Sequence, residues 1–159
     1  MFITLAFQQV TDEGCKRVKV IKELLDLHEQ KKIEIVVSTM AIVEFRPYQG
    51  AQAHNPALAR IVDDLFNSTD ILLYGLTPQI AMLAREIGEM HPAILPADAV
   101  HIATAIFAKA DVLFTFDGGG KRRRPKGMIA NSGKIGAPTL KISPPYVDFG
   151  PLLDPRPAE

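Results

Sequence analysis

Apolar residues recur along the chain at two different spacings, and these predict alternating helices and strands. From about Asp12 they recur every three or four residues, which predicts an amphipathic helix carrying Val18, Ile21, Leu24, Leu25 and His28. Further helices are predicted to begin at Ser38 or Thr39, Asn55-Pro56, Thr77-Pro78 and Pro96. Short β-branched or aromatic runs predict strands at 33–37, 71–74 and 112–116, and a last edge strand at 139–142.

Strands that alternate with helices indicate an α/β fold, here a three-layer α/β/α sandwich with a mostly parallel sheet. We expect one domain over residues 1–142. Residues 118–138 are rich in Gly, Lys, Arg and Pro without a clear period, which predicts a loop. Residues 143–159 contain five prolines and are expected to form a C-terminal tail.

Composition narrows the class of protein only slightly. The 159 residues suit one domain with a full core, and Lys+Arg and Asp+Glu each total 18. Binding to a polyanion would therefore need a local basic patch. Cys15 is the single cysteine, which excludes an intrachain disulfide. The absence of a disulfide framework fits a reducing cytoplasm, where we expect the protein to act. No apolar run approaches the ~20 residues of a membrane span, so we expect no membrane partner.

Two acidic residues lie where a buried helix begins and a buried strand ends. Asp98 is near the start of a helix that is apolar on almost every side, and Asp117 directly follows the strand at 112–116. Ligands of open α/β sheets bind beyond the carboxyl ends of the strands. Two carboxylates brought there by one helix–strand unit suggest a divalent metal site. For Asp98, a helix cap is the alternative role, but Pro96 is the better start signal and the apolar helix places Asp98 at the sheet. For Asp117, a turn residue and a functional role carry similar weight on position alone.

Other polar residues have weaker signals. Glu44 is a third candidate acid, because the apolar side chains beside it, including Val43 and Phe45, argue against a purely solvent-facing role. His101 lies one turn after Asp98, and a satisfied core histidine is its more common role. The adjacent acids at 63–64 point about 100° apart on a helix and are expected on a solvated face.

A basic cluster follows Asp117 directly. It puts five cations in six residues, at Lys121, Arg122, Arg123, Arg124 and Lys126. Such a run is often a solvated loop. Next to an acidic metal site, however, it could grip phosphate groups.

Three segments occur in a fixed order: 35–39 followed by Glu44, then Asp98-Ala99-Val100-His101-Ile102-Ala103-Thr104-Ala105, then Leu113-Phe114-Thr115-Phe116-Asp117. Their order and spacing resemble the PIN domain, the nuclease fold of many VapC-type toxins. In that family a strand and a Ser/Thr lead to a helix glutamate, an Asp opens an alanine-rich helix, and T-x-D ends a later strand. The resemblance extends from about residue 1 to residue 142.

The resemblance implies a ribonuclease that hydrolyses phosphodiester bonds of single-stranded RNA. Glu44, Asp98 and Asp117 would be catalytic, metal-ligating acids around Mg²⁺ or Mn²⁺, the cations that hard oxygen ligands favour. Thr115 would orient a carboxylate. The substrate backbone would be bound by Lys121, Arg122, Arg123 and Arg124. The family also implies an antitoxin partner and a homodimer.

The chain departs from the family pattern at its beginning. The family's first acid ends an N-terminal strand, and Met1-Phe2-Ile3-Thr4-Leu5 resembles the helix start that follows that acid. We therefore expect the first strand and its acid to lie upstream of Met1 or to be lost by divergence.

Two functions remain open. One is a Mg²⁺- or Mn²⁺-dependent endoribonuclease, and the other is a non-catalytic PIN-like module that binds RNA or a protein. A phosphatase of another α/β fold is disfavoured, because the chain lacks a D-x-D motif, a nucleophilic cysteine motif and a P-loop.

Overall fold

The structure is a computed structural model that describes residues 12–44, 64, 66–67, 70–116, 127–136 and 139–146, with side chains of the first helix described from residue 19. Helices and short parallel strands alternate along these residues, which confirms an α/β fold. The helices are α1 (Asp12–Glu29), α2 (Met40–Glu44), α3 (Pro78–Met90) and α4 (Pro96–Phe107), and a 3₁₀ turn spans Met128–Asn131. The strands are β1 (Val36–Ser38), β2 (Leu72–Tyr74), β3 (Val112–Phe114) and β4 (Lys141–Ser143).

The four strands form two parallel pairs. β1 pairs with β2, with Val37 opposite Leu73, and β3 pairs with β4, with Leu113 opposite Ile142. Within the described residues no ladder of hydrogen bonds joins one pair to the other. A single hydrophobic core nevertheless includes residues of both pairs, and α4 packs against both β1 and β3. The helix that carries Asp98, α4, therefore contacts both strand pairs.

The first helix forms over the predicted residues and buries the predicted face. Ile21 and Leu24 are in the core, and His28 is buried at the C-terminal end of the helix. The His28 ring lies 3.1 Å from the carbonyl oxygen of Ile33 through Nδ1 and 3.0 Å from that of Asp70 through Nε2. This histidine thus connects the end of α1 to the residues just before β1 and β2.

The predicted start signal of α3 is also confirmed. The Thr77 hydroxyl accepts a hydrogen bond of 3.3 Å from the backbone N–H of Ile80, and Pro78 occupies the first turn. Ile80, Ala84 and Ile87, which follow one another at spacings of four and three residues, are buried on one face of the helix. The third predicted helix, from Asn55, lies mostly outside the described residues. Of its last turn, residues 64, 66 and 67 are helical and Asp64 is exposed.

The α2 helix forms after Ser38, whose hydroxyl accepts a hydrogen bond of 3.2 Å from the backbone N–H of Met40. The described apolar neighbours of Glu44 are exposed, so their burial is not what gives Glu44 a role beyond a solvent-facing one. Ile42 is 43% exposed and Val43 is 69% exposed. A helix of five residues is too short to be placed by its own apolar face. Its position is set by the cap and by the end of β1 instead.

The predicted loop over 118–138 is only partly correct. Residues 127–136 contain the 3₁₀ turn, and Met128 and Ile135 are buried in the core. Gly133, which has a φ of +69°, donates a hydrogen bond to the carbonyl oxygen of Leu140. This segment is therefore a loop that packs on the core through Met128 and Ile135. The segment has no clear helical or strand period, so its packing could not be predicted from the sequence. Residues 117–126 lie outside the described residues.

The last predicted strand forms one or two residues later than expected. Ser143 is the final residue of β4, and its carbonyl oxygen accepts a hydrogen bond of 3.0 Å from the N–H of Thr115. The Tyr146 ring packs edge-on against Phe114, with ring centroids 5.0 Å apart. The first residues of the proline-rich segment thus pack on β3. No helix in the described part of the chain is long and apolar enough to cross a membrane.

Candidate active site

The start of α4 positions Asp98. Pro96 lies in the first turn, and the N-cap residue, Leu95, makes no side-chain capping bond. Asp98 lies within the first turn and is half-buried, so the simple role of N-cap residue does not apply to it. The free backbone N–H groups of a first turn favour a negative charge. The helix therefore stabilises an ionised carboxylate at this position.

Burial fixes the orientation of α4. Ile102 and Ala103 are completely buried, and Ala99 and Thr104 are each about 1% exposed. The Thr104 hydroxyl donates to the carbonyl oxygen of Val100, 2.8 Å away, so its polar group is satisfied within the helix. With buried residues on most sides, α4 has little freedom to rotate. The side chains of its first two turns are held at fixed places beside the strands.

Glu44 and His101 form the best-defined polar contact of the site. Glu44 lies at the end of α2, just beyond the carboxyl end of β1, and its Oε2 is 2.6 Å from Nε2 of His101 on α4. The His101 side chain is 7% exposed and that of Glu44 is 45% exposed. A buried ring nitrogen thus holds one oxygen of a carboxylate whose side chain is partly exposed to solvent.

The contact also defines the ionisation of Glu44. The hydrogen bond from His101 is the main cause that lowers the pKa of Glu44 below its usual value of 4.5. Attraction to the histidine charge acts in the same direction, while partial burial opposes both. Glu44 is therefore ionised at neutral pH and can only accept hydrogen bonds. It follows that the proton between the two groups belongs to Nε2 of His101.

The predicted site residues fall into three groups. Glu44 and Asp98 lie on α2 and α4, two helices that contact each other. Thr115 directly follows β3 and is 3% exposed. Asp117 and the basic residues at 121–124 lie outside the described residues, so their place in the site stays a prediction.

The sequence carries only a weak signal that His101 belongs to the site. The side chain is buried and hydrogen-bonded, as expected of a core histidine, but its partner is one of the candidate acids. The two residues are separated by 57 positions in the chain, so no local pattern could pair them. The available signal was the position of His101 one turn after Asp98, on an otherwise apolar helix.

The donor types at this site suit a hard divalent cation. Glu44 and Asp98 supply carboxylate oxygens, the ligands that Mg²⁺ and Mn²⁺ prefer. In residues 12–44, 70–116 and the other described positions, no group of three His, Cys, Asp or Glu side chains is close enough to hold a metal ion. Asp117, the third candidate acid, lies outside the described residues.

The fold and these residues define an α/β protein in which one acid, Glu44, follows a parallel strand and a second, Asp98, lies in the first turn of a buried helix. A comparison with protein families matches residues 10–124 to the PIN domain. The match covers most of the chain, and the chain belongs to the PIN domain family. PIN domains have a nuclease-like fold, commonly that of a ribonuclease, and typically depend on a divalent metal. Comparisons with curated proteins and with solved structures gave no match.

Proposed function

We propose that this protein is a Mg²⁺- or Mn²⁺-dependent endoribonuclease of the VapC toxin type, which hydrolyses phosphodiester bonds of single-stranded RNA. The observation that carries the proposal is the range of the family match. Residues 10–124 include all three candidate acids, Glu44, Asp98 and Asp117, together with the basic residues at 121–124. The contact between α2 and α4, which carry the first two acids, supports it.

Each acid has a role that its position supports. Glu44 is ionised and half exposed, with one oxygen bound by His101, so the other oxygen is available to a cation or to a water bound to it. Asp98 supplies a second carboxylate from the first turn of α4, where the backbone dipole stabilises its charge. Asp117 would supply the third from beyond β3. Thr115, buried directly after β3, would orient a carboxylate.

When bound, the metal ion supplies an activated water and charge stabilisation on the phosphate. The rest of the task falls to the protein. Lys121, Arg122, Arg123 and Arg124 would hold the phosphates of the RNA backbone by charge-assisted hydrogen bonds. No aromatic residue lies within this basic run, so it would bind the backbone without stacking on the bases.

The proposal extends to architecture and partners. We propose that the two strand pairs belong to one mostly parallel sheet within a three-layer α/β/α sandwich. By its resemblance to VapC-type toxins the protein would act in the cytoplasm, form a homodimer and be inhibited by a cognate antitoxin.

The test is cleavage of end-labelled single-stranded RNA by the full chain in Mn²⁺. EDTA and the Asp98→Asn variant serve as controls, the variant being checked for folding by circular dichroism. We expect cleavage that needs Mn²⁺ and is abolished by Asp98→Asn, because an amide cannot replace the negative charge. Absence of Mn²⁺-dependent cleavage by a folded chain would refute the nuclease proposal.

The same preparation distinguishes a non-catalytic RNA-binding module. Such a module would bind RNA in EDTA, lose that binding on charge reversal of Arg122, Arg123 and Arg124, and be indifferent to Asp98→Asn. A nuclease would lose cleavage with either change. Charge reversal would weaken its substrate binding, whereas Asp98→Asn would act on the chemical step.

A further inference from the structure

His101 links α4 to Glu44 at the end of α2. Its ring is 7% exposed, and Nε2 reaches Oε2 of Glu44 at 2.6 Å, a short distance for an N–H···O bond. Glu44 is on a five-residue helix in which no side chain is buried. The packing of α2 itself therefore cannot fix the glutamate side chain. In the described part of the chain, the hydrogen bond from His101 is what holds its carboxylate.

The histidine is itself rigidly held. It lies in α4 next to Ile102, which is completely buried, and three residues after Asp98. Residues three apart on a helix lie on the same side, so His101 follows Asp98 along one face of α4. One helix thus carries an acid directly and holds a second acid through a histidine.

We infer that His101 is a positioning residue, which binds Oε2 of Glu44 so that the other carboxylate oxygen is presented to the divalent metal. The inference rests on the proposed function, because it assumes that Glu44 serves the metal. It assigns to a residue outside the acidic set the task of orienting one of its members. Hydrogen-bond partners of this kind orient carboxylate ligands and set their metal affinity.

Two substitutions separate the hydrogen bond from the volume of the ring. His101→Leu replaces the ring with an apolar side chain of similar size and removes the N–H group that donates to Glu44. His101→Gln places an amide N–H group close to the position of Nε2 and can still donate to Glu44. A matched control is His28→Gln, at a histidine that is equally buried but contacts only backbone carbonyl oxygens of Ile33 and Asp70.

The first readout is Mn²⁺ binding to the metal-free full chain, measured by electron paramagnetic resonance of the free ion. We expect His101→Leu to weaken binding by about 10- to 100-fold. His101→Gln is expected to recover most of the affinity, and His28→Gln to leave it close to that of the wild type, because the His28 ring nitrogens lie against backbone carbonyl oxygens. A merely structural role would give similar losses in the His101→Leu and His28→Gln variants.

The second readout does not depend on catalysis, and its Mg²⁺ titration uses the wild-type chain alone. Nuclear magnetic resonance of the histidine rings should show an Nε2–H signal for His101 in the metal-free protein, lost in Glu44→Ala. Addition of Mg²⁺ should shift this signal and leave the His28 ring unchanged. A His101 signal that is indifferent to Mg²⁺ would overturn the inference, even if His101→Leu proves unable to fold.

The outcomes also separate this inference from the proposed function. If the wild-type chain binds no Mn²⁺, both are overturned. If it binds Mn²⁺ and the affinity is unchanged by His101→Leu, the positioning role is overturned and the nuclease proposal stands.

Discussion

Burial of α4 against the two strand pairs can be tested with one chemical change made at two positions. Ile102 is completely buried in the middle of α4, whereas Ile42 on α2 is 43% exposed. Isoleucine to alanine removes three carbon groups at either position. The comparison therefore isolates the effect of the surroundings on the free energy of unfolding.

The expected magnitudes differ by severalfold. Three buried carbon groups at about 0.8 kcal/mol each give about 2.4 kcal/mol for Ile102→Ala, and the residual cavity raises the loss to about 3–4 kcal/mol. At Ile42 little more than half of the side chain is covered, and its exposed surroundings leave no cavity. The better helix propensity of alanine offsets part of the loss, which leaves about 1 kcal/mol or less.

The assay is urea unfolding of the full chain, followed by far-ultraviolet circular dichroism. We expect Ile102→Ala to lower the midpoint strongly at an unchanged slope, and Ile42→Ala to lower it slightly. If Ile102→Ala costs less than about 1 kcal/mol, or no more than Ile42→Ala, the packing of α4 against both strand pairs is wrong.

Three further predictions use the same assay. Thr77→Ala should cost about 1 kcal/mol, because it removes the cap on Ile80, and Thr77→Ser should restore most of the loss. His28→Leu should cost about 1–3 kcal/mol, since it leaves buried backbone carbonyl oxygens without the ring donor, and an unchanged midpoint would refute that role. The third prediction concerns the difference in free energy of unfolding between the wild type and Glu44→Gln. This difference should be constant above pH 4.5, the usual pKa of the carboxyl, and should be lost as the pH falls through the lowered pKa of the folded state. A difference that persists in acid contradicts the prediction.

Elements with a local start signal and a buried face could be predicted from the sequence. Thr77-Pro78 marks the start of α3, and Pro96 marks the start of α4, because capping and proline geometry depend only on neighbouring residues. The apolar runs at 71–74 and 112–116 likewise predicted the strands that the structure shows as β2 and β3. These elements position Asp98 and Thr115, so this part of the candidate site followed from local pattern.

The parts that could not be predicted depend on contacts between distant residues. The exposure of Ile42 and Val43 is set by the place of α2 after β1, and their own sequence suggests burial. Met128 is buried through a single 3₁₀ turn, which is too short to produce a period. The bond between Glu44 and His101 arises only when α2 and α4 come together.

The central claim is that the acids of this PIN domain support metal-dependent hydrolysis of RNA. The most direct measurement is cleavage of a single-stranded RNA with Mn²⁺ in ¹⁸O-labelled water, by the wild type and by Asp98→Asn, with analysis of the new ends by mass spectrometry. We expect linear ends that carry one ¹⁸O atom from water, formed by the wild type only. Ends with a 2′,3′-cyclic phosphate and no ¹⁸O, or equal cleavage by Asp98→Asn, would contradict it.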